Sequence, residues 1–161
     1  MSDIEIKDEH SKFKYRVNGL LIRDNKILAL KMKNNISYCL PGGHVDLSED
    51  SKSAMLREML EETQTEMSID SDFAIVENFY TDKNNLQTHE ISFYYILHAE
   101  NYNKIPFENY SLEELDKGNS KVHNFEWLDI SRLNEFDLRP AFIKDKLING
   151  RYNFEHIIIK E

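Results

Sequence analysis

The chain has 161 residues, 40% of them hydrophobic and 11% aromatic, a composition that predicts one folded domain and excludes a disordered chain. The formal net charge of −9 argues against non-specific binding to nucleic acid or a membrane surface, because both need basic patches. The single cysteine, Cys39, excludes an intramolecular disulfide framework and a zinc site built from several cysteines.

The N-terminal segment is charged throughout and lacks an apolar run, so it does not predict a signal peptide. No segment reaches the roughly 20 consecutive apolar residues of a membrane helix. With one cysteine, these features favour a soluble protein of the reducing cytoplasm. Residues 1–10 are polar, and the sequence leaves open whether they are loosely ordered or form the edge of a sheet.

The first predicted element is a hairpin over residues 15–32. Two apolar, β-rich runs flank Asp24 and Asn25, which are favourable turn residues. A short strand follows within residues 37–43, and we expect it to end in a turn at Pro41 and the two glycines after it.

A helix is predicted over residues 48–64. Ser48 or Asp50 is the expected N-cap, with acidic residues in the first turn, where they interact favourably with the helix dipole. Its apolar side would be supplied by methionine, leucine and alanine.

The second half of the chain predicts four further strands, over residues 73–81, 89–100, 122–130 and 152–160. Residues 108–121 are expected to form an acidic loop with room for one helical turn. Residues 131–136 begin a short helix, and a full helix follows over 139–150, with Pro140 near its start and Gly150 past its end. Hairpins dominate, so the predicted class is α/β with a mixed sheet covered by helices.

The helix over 48–64 crowds carboxylates onto one face. Glu58, Glu61 and Glu62 stand at positions i, i+3 and i+4, where like charges repel by about 0.2–0.5 kcal/mol per pair. A hard divalent cation such as Mg²⁺ would turn this repulsion into attraction, since it prefers oxygen ligands. The alternative is a solvated acidic face, with Arg57 and Lys52 in ordinary surface ion pairs.

The spacing of this segment resembles the Nudix box, the signature of the MutT-like Nudix hydrolases, over residues 43–65. Six positions match in residue type and offset: Gly43, Glu49, Arg57, Glu58, Glu61 and Glu62. Two positions depart, because Gln64 replaces the usual final glycine and Thr65 the usual aliphatic residue. A left-handed conformation at Gln64 would cost about 1 kcal/mol, unless the helix ends differently.

The resemblance implies a Nudix-type α/β/α sandwich with a central mixed sheet, in a single domain over residues 1–161. It implies hydrolysis of a pyrophosphate bond in a nucleoside diphosphate linked to another moiety, with Mg²⁺ or Mn²⁺ as the cofactor. The implied substrate is a small nucleotide, such as a nucleoside triphosphate or an ADP-ribose-like compound. Neither nucleic acid nor a membrane is an expected partner, and a homodimer is the default assembly.

The resemblance also assigns roles to residues. Glu61 is expected to be a metal ligand or the base that deprotonates water, Glu62 to be catalytic through its metal, and Arg57 to orient a glutamate by charge-assisted hydrogen bonds. The expected metal ligands, some of them supporting, are Glu58, Glu62, Glu61, the carbonyl of Gly43, and Glu49.

Several assignments stay open on sequence alone. A further acidic residue could complete the site, and the candidates are Glu113, Glu114, Asp116 and Glu90. Base-stacking candidates are Tyr38, Phe79 and Tyr94, and phosphate-binding candidates are Arg16, Arg23 and Arg139. Cys39 is expected to be a packed strand thiol. The alternative function is a module that binds or senses a nucleotide without hydrolysing it, although the intact glutamate triad favours an enzyme.

Overall fold

The computed structural model describes residues 2–116 and 118–161, and the side chain of Asp116 lies outside the described part. The strands are β1 (Glu5–Lys7), β2 (Ser11–Arg23), β3 (Lys26–Lys31), β4 (Ser37–Cys39), β5 (Gly42–His44), β6 (Met67–Thr81), β7 (Gln87–Ala99), β8 (Tyr110–Asp116), β9 (Asn119–Asp129), β10 (Asp137–Leu138) and β11 (Glu155–Lys160). The α-helices are α1 (Ser51–Thr63) and α2 (Phe142–Ile148), and 3₁₀ helices span Tyr102–Lys104 and Ile130–Glu135.

The described strands form a mixed sheet whose main path runs β10-β4-β3-β2-β7-β6-β11. The central strand β2 pairs in parallel with β7 and antiparallel with β1, β3 and β5. The β8–β9 hairpin joins the sheet through the antiparallel pairing of β9 with β3. Parallel and antiparallel pairs therefore coexist, as the predominance of hairpins predicted.

The two sides of the sheet carry separate hydrophobic cores, because successive side chains of a strand point to opposite faces. On β2, Val17 and Leu21 belong to the core that contains Met55 and Met59 of α1. Leu20 points to the other face, where it shares a core with two residues of α2, Ile143 and Leu147. A helix thus packs on each face, which confirms the predicted α/β/α sandwich.

The first hairpin forms as predicted, and the segment after it differs from the prediction. Asp24 and Asn25 have φ angles of 49° and 60°, as a tight hairpin turn requires. Strand β4 ends at Cys39, but Gly42 and its neighbour Gly43 form β5 instead of a turn. The close approach to β2 requires glycine, because a Cβ on Gly42 would lie only 2.0 Å from a carbonyl oxygen of β2.

Helix α1 starts at Ser51, with Asp50 as its N-cap. The Asp50 carboxylate accepts hydrogen bonds from the amides of Lys52 and Ser53, both at 3.0 Å. Asp50 is one of the two N-caps that the sequence offered, so that prediction is confirmed, and Ser48 lies outside the helix. The first turn contains no acidic residue, so that expectation was wrong. Gln64 ends the helix in the left-handed conformation with φ 57°, which is the costly alternative of the two considered.

The variant Gln64→Gly is expected to raise the free energy of unfolding by about 1 kcal/mol, because glycine adopts the left-handed conformation without steric cost. Urea denaturation measures this change through the transition midpoint. Gln64→Ala is the matched control, since it also removes the side chain but keeps Cβ. An equal effect of both variants would contradict the conformational explanation.

Three predictions for the second half need correction. Within residues 108–121, the described part from 110 to 116 forms β8 and the part from 119 to 121 begins β9, where an acidic loop was expected. Partly buried and exposed side chains alternate along β8, as in a strand with one covered face. Helix α2 occupies only Phe142–Ile148 of the predicted 139–150, since Pro140 and Ala141 precede its first turn. Strand β6 begins at Met67, ahead of the predicted 73. No helix among the described residues is long and apolar enough to cross a membrane.

Candidate active site

A polar cavity of about 430 Å³ opens between α1, β5 and the β8–β9 hairpin, and we call it the acidic cavity. Five of the six matching Nudix-box residues line it, and Glu49 is the one that does not. The full lining consists of Asp3, Arg16, Gly42, Gly43, His44, Asp46, Arg57, Glu58, Glu61, Glu62, Glu114 and Lys121.

The deepest carboxylate of the acidic cavity is Glu62, which is 4% exposed. Its Oε2 accepts a hydrogen bond from the amide of Gly42 at 3.2 Å. Burial, together with the nearby charge of Glu58, raises the pKa of Glu62 to about 8. Burial also raises the pKa of Glu58, even though Arg57 donates a hydrogen bond to it. Two desolvated carboxyl groups facing one cavity form a donor set suited to a hard divalent cation.

Arg57 ties the carboxylates of this region together. Its Nη1 donates to Glu58 at 2.9 Å and to Glu61 at 3.3 Å, and its Nη2 donates to the carbonyl of His44 at 3.0 Å. Its Nε and Nη2 bind the two oxygens of Glu49 at 2.8 and 2.9 Å, a bidentate arrangement. The hydrogen bonds that Arg57 donates to Glu49 and Glu58 raise the pKa of its guanidinium, so its positive charge is permanent.

Glu49 holds the guanidinium of Arg57 and does not line the acidic cavity. Its Oε2 also accepts a hydrogen bond from the amide of Asp46 at 3.1 Å. The hydrogen bonds from Arg57 hold the pKa of Glu49 below its usual range. The sequence left open whether Glu49 binds the metal directly or supports the residues that bind it. This geometry favours the supporting role.

Gly43 allows β5 to pass beside the carboxyl group of Glu58, because a Cβ on Gly43 would lie 2.2 Å from Glu58 Cδ. Gly43 pairs with Val17 of β2. The residue pairs two positions before and two positions after it along β2 are each joined by a backbone hydrogen bond. Hydrogen-bonded and non-hydrogen-bonded pairs alternate in an antiparallel ladder, so the pair of Gly43 with Val17 is a hydrogen-bonded one. The Gly43 carbonyl is therefore used in the pairing of β5 with β2. Gly42 lines the acidic cavity together with Gly43 and His44, and its amide donates a hydrogen bond to Glu62.

The acidic candidates that follow helix α1 in the sequence lie in different parts of the structure. Glu114 of β8 lines the acidic cavity, whereas Glu113 points outward and accepts a hydrogen bond from Ser120. Glu90 lies in a different cavity, where Ser92 Oγ donates to its carboxylate at 2.9 Å. The prediction for the Asp116 side chain lies outside the described residues.

Two residues of β9 near this cavity were missed by the sequence reasoning. His123 of β9 is 4% exposed, and its Nε2 contacts the Glu114 carboxylate. Lys121 pairs with Glu114 across the hairpin and lines the acidic cavity. The available signal was the alternation in "NSKVHNF", which places Lys121, His123 and Phe125 on one face of a strand.

A second cavity of about 780 Å³ lies over the opposite sheet face, beside α2, and we call it the sheet-face cavity. Arg16 lines both cavities and therefore stands between them. Arg16 Nε and Asn78 Oδ1 are buried and have no hydrogen-bond partner among the described residues. Such unpaired polar atoms are costly unless a ligand or water satisfies them.

The remaining candidates divide between the sheet-face cavity and other places. Tyr94 lines this cavity, as do Arg139 and Cys39, and burial raises the pKa of the Cys39 thiol, which lowers its reactivity. The others lie elsewhere: Tyr38 donates to Glu126, Phe79 stacks on His89, and Arg23 stacks on Phe107.

Comparisons with known proteins identify a family model and a relative that match this chain. The NUDIX domain family model matches residues 12–147. A 50-residue segment is 46% identical to an ADP-ribose pyrophosphatase of Methanocaldococcus jannaschii, covering 29% of this chain and only 30% of that protein.

Solved structures share the fold at low sequence identity. A NUDIX hydrolase from Nitrosomonas europaea superposes with a TM-score of 0.58 at 17% identity, over 88% of this chain and 91% of that one. An ADP-ribose pyrophosphatase from Streptococcus suis gives a TM-score of 0.55 at 17% identity, over 90% and 98%. At such identities the likeness establishes the fold alone.

Proposed function

The chain belongs to the NUDIX domain family, and from that premise we propose that it is a metal-dependent pyrophosphohydrolase acting on a small nucleotide. The observation that carries this proposal is the convergence of Glu58, Glu61 and Glu62 on one cavity, with Arg57 bonded to two of them. A solvated acidic face does not explain why Glu62 is buried with a strongly raised pKa. The proposal includes one domain across residues 1–161, a cytoplasmic location and a homodimer.

The proposed mechanism assigns a task to each residue of the acidic cavity. Glu58 and Glu62 would hold Mg²⁺ or Mn²⁺, which when bound polarises phosphoryl oxygens and lowers the pKa of water. Glu61, 43% exposed in its side chain, would accept the proton of the attacking water as a bond to the bridging oxygen breaks. Arg57 keeps the carboxylates in place. Because the Gly43 carbonyl is used in the pairing of β5 with β2, the Gly42 carbonyl would be the better backbone ligand of the ion.

The two cavities together suit a nucleotide that spans them. The pyrophosphate would lie in the acidic cavity, and the nucleoside in the sheet-face cavity, whose volume is typical of small-molecule sites. Arg16, between the cavities, has an unpaired Nε that a phosphate oxygen would satisfy. The side chain of Tyr94 offers an aromatic surface in the sheet-face cavity.

The test is hydrolysis of a panel of nucleoside diphosphate derivatives and triphosphates, each with Mg²⁺, with Mn²⁺ and with EDTA. ADP-ribose comes first in the panel, because two relatives bear the name ADP-ribose pyrophosphatase. We expect metal-dependent release of a nucleoside monophosphate. Metal-dependent binding of a nucleotide that is never cleaved would contradict hydrolysis and favour the sensing module.

A further inference from the structure

The side chain of His123 points at the carboxylates of the acidic cavity. It is buried on β9, and its Nε2 contacts Oε2 of Glu114. One donor atom from each of Glu62, Glu114 and His123 lies within 4.8 Å of the other two. Ligands about 2.1 Å from an octahedral ion lie about 3 Å apart at adjacent positions and about 4.2 Å apart at opposite ones. The upper bound of 4.8 Å is slightly longer than the separation of opposite ligands, so small side-chain movements would bring the three donors into one coordination sphere.

The hairpin fixes this arrangement. Glu114 pairs with Lys121 and Leu112 pairs with His123, so Glu114 and His123 stand diagonally across the same face of the β8–β9 ladder. Helix α1 brings Glu62 to that face from the other side of the cavity. Because the ring is buried, its Nε2 has few alternative directions.

We propose that His123 is a nitrogen ligand of the ion bound by Glu62 and Glu114, and that it makes the site prefer Mn²⁺ to Mg²⁺. Imidazole donors suit transition metals, whereas Mg²⁺ takes oxygen ligands almost exclusively and keeps several waters. This inference rests on the proposed function in that both use Glu62. The competing explanation is that His123 only orients Glu114 through a hydrogen bond and never contacts the ion.

Pulsed electron paramagnetic resonance of the Mn²⁺-loaded protein without substrate tests the proposal. We expect ¹⁴N modulation from a directly bound imidazole, which changes to the ¹⁵N pattern when the wild-type protein is labelled with ¹⁵N-histidine. His123→Gln should abolish the modulation. His44→Gln is the matched control, because His44 lines the same cavity, and it should leave the modulation in place. Absence of nitrogen modulation in the wild-type protein, or its loss only in His44→Gln, overturns the proposal.

Metal affinity provides a second readout on the same proteins. His123→Gln is expected to raise the Kd for Mn²⁺ by about 10-fold or more, with a much smaller change for Mg²⁺. An equal loss for both ions would mean that His123 acts only by orienting Glu114, which contradicts direct binding. Neither measurement needs turnover. Nitrogen modulation without any hydrolysis would therefore count against the proposed function alone, and metal-dependent hydrolysis without modulation against this inference alone.

Discussion

Glu62→Gln is expected to lower kcat by about 10³-fold while leaving the fold intact. Losing a metal-binding carboxylate removes several kcal/mol of transition-state stabilisation, and each 1.36 kcal/mol is a factor of about ten. Glutamine preserves the shape of the side chain and can still accept the hydrogen bond from the Gly42 amide. Steady-state kinetics on the compound identified by the substrate panel measures the loss, and circular dichroism checks the fold.

Glu66→Gln is the matched control for this variant. It makes the same charge change four positions along the chain, at an exposed residue that does not line the acidic cavity. We expect its kcat to equal that of the wild-type protein. If Glu62→Gln also turned over at the wild-type rate, the assignment of Glu62 to the metal would be wrong.

The local part of the candidate site could be predicted from the sequence. Helix geometry alone brings Glu58, Glu61 and Glu62 to one face, whatever the rest of the chain does. Asp50 as the helix cap and the Asp24–Asn25 turn are also decided by neighbouring residues. These features depend on side-chain chemistry within a few positions, which a single sequence displays directly.

The non-local part could not be predicted in the same way. Glu114 lines the acidic cavity, and His123 contacts Glu114, only because β8 folds back on β9. The acidic composition of that segment favoured a loop over a strand. The sheet-face cavity joins Arg16 of β2, Asn78 of β6 and the start of α2, which are far apart in sequence. Strand order and register decide such contacts, and both depend on packing of the whole sheet.

The metal-free protein is expected to lose stability as the pH rises from about 4.5 to 8. The pKa of Glu62 is about 8 in the folded protein, against 4.5 as its ordinary value. Between these values the folded state holds a proton that the unfolded chain has released, so the free energy of unfolding falls with rising pH. The contribution is complete below pH 4.5 and lost above pH 8. Its size is a few kcal/mol, since each pKa unit corresponds to about 1.4 kcal/mol.

Urea denaturation in EDTA at several pH values across that window measures the slope, and the comparison with Glu62→Gln isolates its cause. The comparison is needed because burial lowers the pKa of His44, which gives a slope of opposite sign. Glu62→Gln should remove the part of the slope that belongs to Glu62. Adding Mg²⁺ or Mn²⁺ should raise the melting temperature of the wild-type protein most near pH 8, because the ion binds the ionised carboxylate. An unchanged slope in Glu62→Gln would mean that another group carries the pH dependence.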